Sequence, residues 1–184
     1  MLTILLDNLR SKHNVGAIFR TADAAGVSRV ILCGTTPQPV DRFGRPVEAI
    51  KKTALGAETT VSYEYNPDTK TAVRDLQDAG TSVWVVEQSE LARDIIFDHD
   101  LVFPQPIVFV FGHEVDGVQP SVLEMADQVV SLPMLGAKES LNVSVTVGIV
   151  LYCFRSKMEN RSGLYVNQDH REGLLVDKNL SNEL

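Results

Sequence analysis

"IVFVFG", residues 107–112, is the stretch on which the fold turns. Five apolar residues in succession, three of them β-branched, end at a glycine and read as a continuous buried strand. Similar short runs occur along the chain: "TILLDNL" (3–9), "RVILCG" (29–34), "TVSYEY" (60–65), "TSVWVVEQ" (81–88) and "DQVVSLPM" (127–134). Between them lie helical stretches: "NVGAIFRTADAAGV" (14–27), stopped near Gly26, "RPVEAIKKTALGA" (45–57), "DTKTAVRDLQDAG" (68–80), "QPSVLEMA" (119–126) and "NVSVTVGIVLYCFRSKME" (142–159). "ELARDIIFDHDLVFPQP" (90–106) reads as short helix and loop. Six strands alternating with helices imply an α/β fold around a mostly parallel sheet flanked by helices. Residues 160–184 lose the periodicity and read as a C-terminal extension, leaving 1–159 as one domain.

The 184 residues are 44% hydrophobic and 22% charged, the balance of a globular chain long enough to bury a core. No apolar run reaches the roughly 18 residues of a membrane span. The opening "MLTILLDNLRSKHN" lacks the parts of a signal peptide. Cys33 and Cys153 make no disulfide framework and read as small buried hydrophobes. A cytoplasmic protein is expected. The net charge of −7 argues against indiscriminate nucleic-acid binding. Yet residues 1–52 carry eight Lys and Arg against four acids, and the remainder nine against twenty. Such asymmetry marks either a polyanion-facing end or ordinary surface variation.

Ligands of open α/β sheets bind beyond the carboxyl ends of the strands. Three polar, glycine-bearing stretches fall there: "NVGAIFRTA" (14–22), "FGHEVDGV" (111–118) and "LPMLGAKESLNVS" (132–144). None is a dinucleotide fingerprint or a P-loop, and no nucleophile elbow exists. Each has two readings when taken alone. Asn14 and Ser140 are helix caps or site residues, and Arg20 is a solvated surface charge or a ligand-binding one. His113 and Glu114 lack the second histidine of a zinc helix; with the histidines scattered, no metal is expected.

Together and in this order, the three stretches resemble the motifs of the SpoU/TrmH-type RNA 2′-O-ribose methyltransferases of the SPOUT superfamily. Asn14, Gly16, Ala17, Ile18, Arg20 and Thr21 match the first motif; Gly112, Glu114 and Gly117 match the second. The third is matched by Pro133, Met134, Gly136, Ser140, Leu141, Asn142, Val143 and Ser144. The resemblance covers residues 3 to 155, with Leu132 where isoleucine is frequent.

The resemblance implies a C-terminal trefoil knot, which periodicity does not show. It also implies a homodimer with a site drawn from both subunits, and S-adenosyl-L-methionine as cofactor. The cofactor is expected against Gly112, Leu132, Met134, Gly136, Ser140 and Leu141. The reaction implied is methyl transfer to a ribose 2′-hydroxyl, with Arg20, Asn14, Glu114, Ser140 and Asn142 as catalytic residues. A guanidinium makes a reluctant base, so Arg20 is expected to bind phosphate and stabilise a developing alkoxide. Glu114 is expected to steer Arg20 by a bidentate pair. RNA is expected at Arg10, Lys12, His13, Arg42 and Arg45, with Lys51 and Lys52 adjoining. The loop 35–46 is either an RNA contact or an ordinary surface loop. Because the resemblance starts at residue 3, no preceding RNA-binding domain is expected, which favours tRNA over rRNA. The alternative is a non-catalytic RNA-binding or assembly factor that retains the fold.

Overall fold

A computed structural model of the chain describes residues 1–162, with side chains as far as residue 158. Of the expected extension over 160–184, residues 163–184 lie outside the described residues. In chain order the elements are β1 (Leu2–Asp7), α1 (Lys12–Ala24), β2 (Arg29–Cys33), α2 (Glu48–Ala54), α3 (Ala57–Thr60), β3 (Tyr63–Asn66) and α4 (Thr69–Asp78). There follow β4 (Ser82–Val86), β5 (Arg93–Asp94), β6 (Ile107–Phe111), α5 (Pro120–Leu123), β7 (Gln128–Ser131) and α6 (Val143–Ser162). The strands form one sheet in the order β3-β2-β1-β6-β4-β7-β5, every pairing parallel.

The stretch 107–111 is β6, paired with β1 on one side and β4 on the other. A strand alternates its side chains between the two sheet faces, and both faces are covered here. Ile107, Phe109 and Phe111 pack with Val15, Ile18 and Phe19 of α1, Ile50 of α2, and Val147, Val150 and Phe154 of α6. Val108 and Val110 face the other way, onto Val73 and Leu76 of α4 and Val122 of α5. Trp84, Phe103, Phe109 and Phe154 stack on the first face with ring centroids 4.9–6.2 Å apart.

Three expectations change. Residues 90–106 hold no helix; they contribute β5, a seventh strand at the sheet edge. The Asp94 carboxylate accepts the N–H groups of Ile96 and Phe97 (2.8 and 2.9 Å), and Asp98 takes Arg93 Nε at 2.7 Å. Such local bonds offer the backbone an alternative to a helical turn. The expected helix over 45–57 breaks into α2 and α3, where Leu55 and Gly56 both take positive φ (53° and 98°). Cys33 is buried, and burial followed by the neighbouring Asp7 charge pushes its thiol up to about 12, whereas Cys153 is only half-buried. No helix among the described residues is long and apolar enough to cross a membrane.

Candidate active site

With every strand parallel, the loops after β1, β2, β4, β6 and β7 meet at one edge of the sheet. α1 starts there at Lys12 because Ser11 caps it, its Oγ accepting the Asn14 N–H at 3.2 Å. Asn14 is therefore not the cap. It sits in the first turn with its carboxamide available: Nδ2 donates to Glu114 Oε1 at 3.0 Å, and Oδ1 accepts from Asn142 Nδ2 at 3.2 Å. Glu114 also accepts the Arg10 and Ser11 N–H groups, each at 3.2 Å. Burial pushes the Glu114 carboxyl up, but its own backbone N–H, the Asn14 amide and the Arg10 and Ser11 N–H groups outweigh it. They hold the carboxyl below its ordinary value.

Asn142, not Ser140, caps α6. Its Oδ1 accepts the Ser144 N–H and hydroxyl (2.9 and 2.6 Å), and its carbonyl accepts the Val145 and Thr146 N–H groups. Glu114, Asn14 and Asn142, from three distant parts of the chain, thus form one hydrogen-bonded line. Each amide's direction is fixed by the partner beyond it.

Beside this line, residues 132–141 fold over the ends of β4 and β7 and enclose a pocket. Val86, Leu132, Met134 and Leu141 supply apolar surface; Glu87, Gln88, Ser131, Ser140 and Thr146 supply polar groups. Gln88 Nε2 donates to the Leu132 carbonyl at 2.8 Å, fixing the entry of the loop. Of the expected cofactor set, Leu132, Met134, Ser140 and Leu141 line this pocket, whereas Gly112 and Gly136 do not. A Cβ on Gly136 meets nothing within 4 Å; one on Gly112 would strike the backbone of Gly117 and Val118. Gly112 is thus needed for the turn 112–118 to close on itself, through His113 and Gly117 exchanging N–H···O bonds of 2.9 and 3.0 Å.

Two carboxylates that carried no sequence signal hold this turn. Glu87 accepts the Val118 N–H at 2.9 Å. Asp7, fully buried, accepts from Thr69 Oγ1 (2.6 Å), Gln119 Nε2 (2.8 Å), Asn8 Nδ2 (2.9 Å) and the Gln119 N–H (3.1 Å). Only their place at carboxyl ends of parallel strands could have flagged them.

Arg20 stands apart. It is exposed on α1 and lines a separate open groove with Ala17, Thr21, Lys52, Thr53 and Tyr152. Among the described residues it makes no ion pair, and the expected pair with Glu114 is absent. That carboxylate is occupied at the positive N-terminal end of α1, a favourable place for it. Arg10, Lys12 and His13 are exposed at the same helix start, and Lys51 and Lys52 in the last turn of α2. Arg42 and Arg45 lie on an exposed turn; Arg45 is bound to Asp41 at 2.7 Å.

Residues 1–152 match the family model described as the SpoU rRNA Methylase family. Over 151 residues the chain is 38% identical to a 23S rRNA (guanosine-2′-O-)-methyltransferase of Ralstonia nicotianae, covering 82% of this chain but 57% of that one. It is 33% identical over 164 residues to a tRNA (guanosine(18)-2′-O)-methyltransferase of Thermus thermophilus, covering 89% and 78%. The solved structure of an AdoMet-bound rRNA methyltransferase from Sinorhizobium meliloti superposes with TM-score 0.72 and 28% identity, over 84% of this chain and 56% of that one. With the family model matched over most of its length, the chain belongs to the SpoU methylase family.

Proposed function

We propose that the chain is an S-adenosylmethionine-dependent RNA methyltransferase acting on a ribose 2′-hydroxyl. The observation that carries this is the Glu114–Asn14–Asn142 line, joined to the pocket of residues 132–141 through Asn142, which follows Leu141 of its lining and whose carbonyl accepts the N–H of Thr146, another lining residue. The lining of that pocket suits the cofactor: apolar walls at Leu132 and Met134 for the adenine, polar groups at Ser140, Gln88 and Glu87 for the rest. When bound, the cofactor supplies a methyl on a sulfonium centre. The chain's own part is to hold the 2′-oxygen in line and to stabilise charge that develops there. Asn14 and Asn142 position the site, Glu114 fixes Asn14, and Ser140 donates from the pocket rim.

Arg20 binds the adjacent phosphate and stabilises the developing alkoxide. It does not line its own chain's pocket. This supports a homodimer in which Arg20 of one protomer serves the pocket of its partner. The reading includes a trefoil knot formed by the C-terminal part of a domain over 1–159, with 160–184 as an extension. RNA lies along Arg10, Lys12, His13, Arg42 and Arg45. We take tRNA as the substrate class, because the Thermus tRNA enzyme shares the larger part of both chains.

The test is transfer of labelled methyl to bulk tRNA and, separately, rRNA. Alkali-resistant label at one dinucleotide of tRNA is expected, reduced about a hundredfold in Arg20→Ala. Label on rRNA alone overturns the substrate class, and turnover intact in Arg20→Ala overturns the role of that residue. Absence of label on either RNA overturns the enzyme reading.

A further inference from the structure

The loop after β2 ends in an ordered hairpin at residues 40–46. Val40 and Pro46 bridge across it, and the Asp41 N–H donates to the Arg45 carbonyl at 2.9 Å. One side chain fixes the turn: Asp41 accepts the Phe43 and Arg45 N–H groups (2.8 and 3.0 Å) and Arg45 Nε at 2.9 Å. The loop's root is fastened by buried Thr36, which accepts the Leu9 N–H and donates to the Leu6 carbonyl, each at 3.0 Å. The root of the loop is thereby set at the carboxyl end of β1, from which the chain runs to Asn14.

Phe43 is at its tip, 65% exposed. An exposed apolar side chain alone needs no explanation. Here, though, two guanidinium carbons lie over the ring, Arg42 at 4.8 Å and Arg45 at 5.0 Å from its centroid. Arg45 is held there by Asp41, while Arg42 makes no ion pair among the described residues. An exposed aromatic ring beside one held and one unpaired guanidinium can stack an unpaired nucleobase and grip its phosphate.

We propose that Phe43 is a base-stacking residue, taking an unpaired nucleobase of the substrate RNA while Arg42 moves onto a neighbouring phosphate. This rests on the RNA reading above and adds to it a preference for a single-stranded segment. Arg45 and Asp41 act as its frame. The residue positions substrate and takes no part in the chemical step.

The full chain, Phe43→Ala, Phe43→Tyr and Arg42→Ala would be titrated with a single-stranded oligoadenylate and with an RNA duplex of equal length. Phe43→Ala is expected to weaken the single strand roughly tenfold and to leave the duplex and the salt slope unchanged. Phe43→Tyr should bind as the wild type does, and Arg42→Ala should lower the salt slope by about one. Equal loss on both RNAs, no loss in Phe43→Ala, or no binding of the single strand by the wild type each overturns the proposal. So does a changed oligomeric mass in Phe43→Ala, which would assign the tip to a contact between chains. Intact stacking behaviour without methyl transfer by the wild type would instead overturn the enzyme reading alone.

Discussion

Glu114 fastens the entry of α1 through three bonds, to Arg10, Ser11 and Asn14. A carboxylate accepts at every lone pair; the carboxamide of Glu114→Gln would turn an N–H toward one of those donors. The sign of the pH effect follows from the lowered carboxyl. A group whose folded value lies below its ordinary 4.5 adds stability above that pH, lost as the folded carboxyl takes up its proton. Glu114→Gln is therefore expected to melt ~3 °C lower at neutral pH. The gap should narrow below about pH 4.5, as the wild type alone is weakened. Melting curves from pH 7 to 3 check this, and a gap that stays constant would count against it. The pairing itself lay beyond the sequence. The motif gave Glu114 and Arg20 as a natural ion pair, but motif order carries no distance, and a helix N-terminus is a competing cation-like partner. Asp7 and Glu87 stayed invisible for a related reason: a lone acid at a strand end has no period to betray it.

At the scale of elements, α1 and α2 pack more closely than any side chain at Gly16 allows. A Cβ built there would meet Thr53 Oγ1 and the Ile50 carbonyl oxygen of α2. Alanine in place of a helical glycine gains roughly 1 kcal/mol of propensity. Overpacking against backbone costs about 1–3 kcal/mol, because α2 as a whole must move. The second effect wins. Gly16→Ala is expected to lower the urea midpoint, and a raised midpoint would show that α2 yields freely. The sequence motif contained this glycine but not the helix it packs against. Strands were legible where burial is continuous, as at 107–111, since five β-branched or aromatic residues in a row leave little choice. β5 was not, because a strand of two residues, Arg93 and Asp94, has no pattern of its own.

For the whole molecule, alternation of strands and helices predicts a parallel sheet but not its order. β6 enters between β1 and β4, a choice made by the shapes of side chains remote in sequence. The same holds for what covers α6. Val147, Val150, Leu151 and Phe154 face the core, yet Val145 and Tyr152 on the same helix are 50% and 56% exposed, with Ile149 half-buried between them. An α-helix apolar on nearly every side is one that is buried on nearly every side. Tyr152 also lines the groove of Arg20, so covering this stripe with a second copy would bring a foreign pocket toward that guanidinium. The wild-type chain is therefore expected to scatter light at twice its 20.3 kDa mass. Tyr152→Glu should scatter at the single-chain mass with its circular dichroism unchanged, since a carboxylate at the centre of the stripe cannot be buried unpaired. A wild type of single-chain mass, or a variant that still pairs, would remove the shared site and leave Arg20 without a pocket to serve.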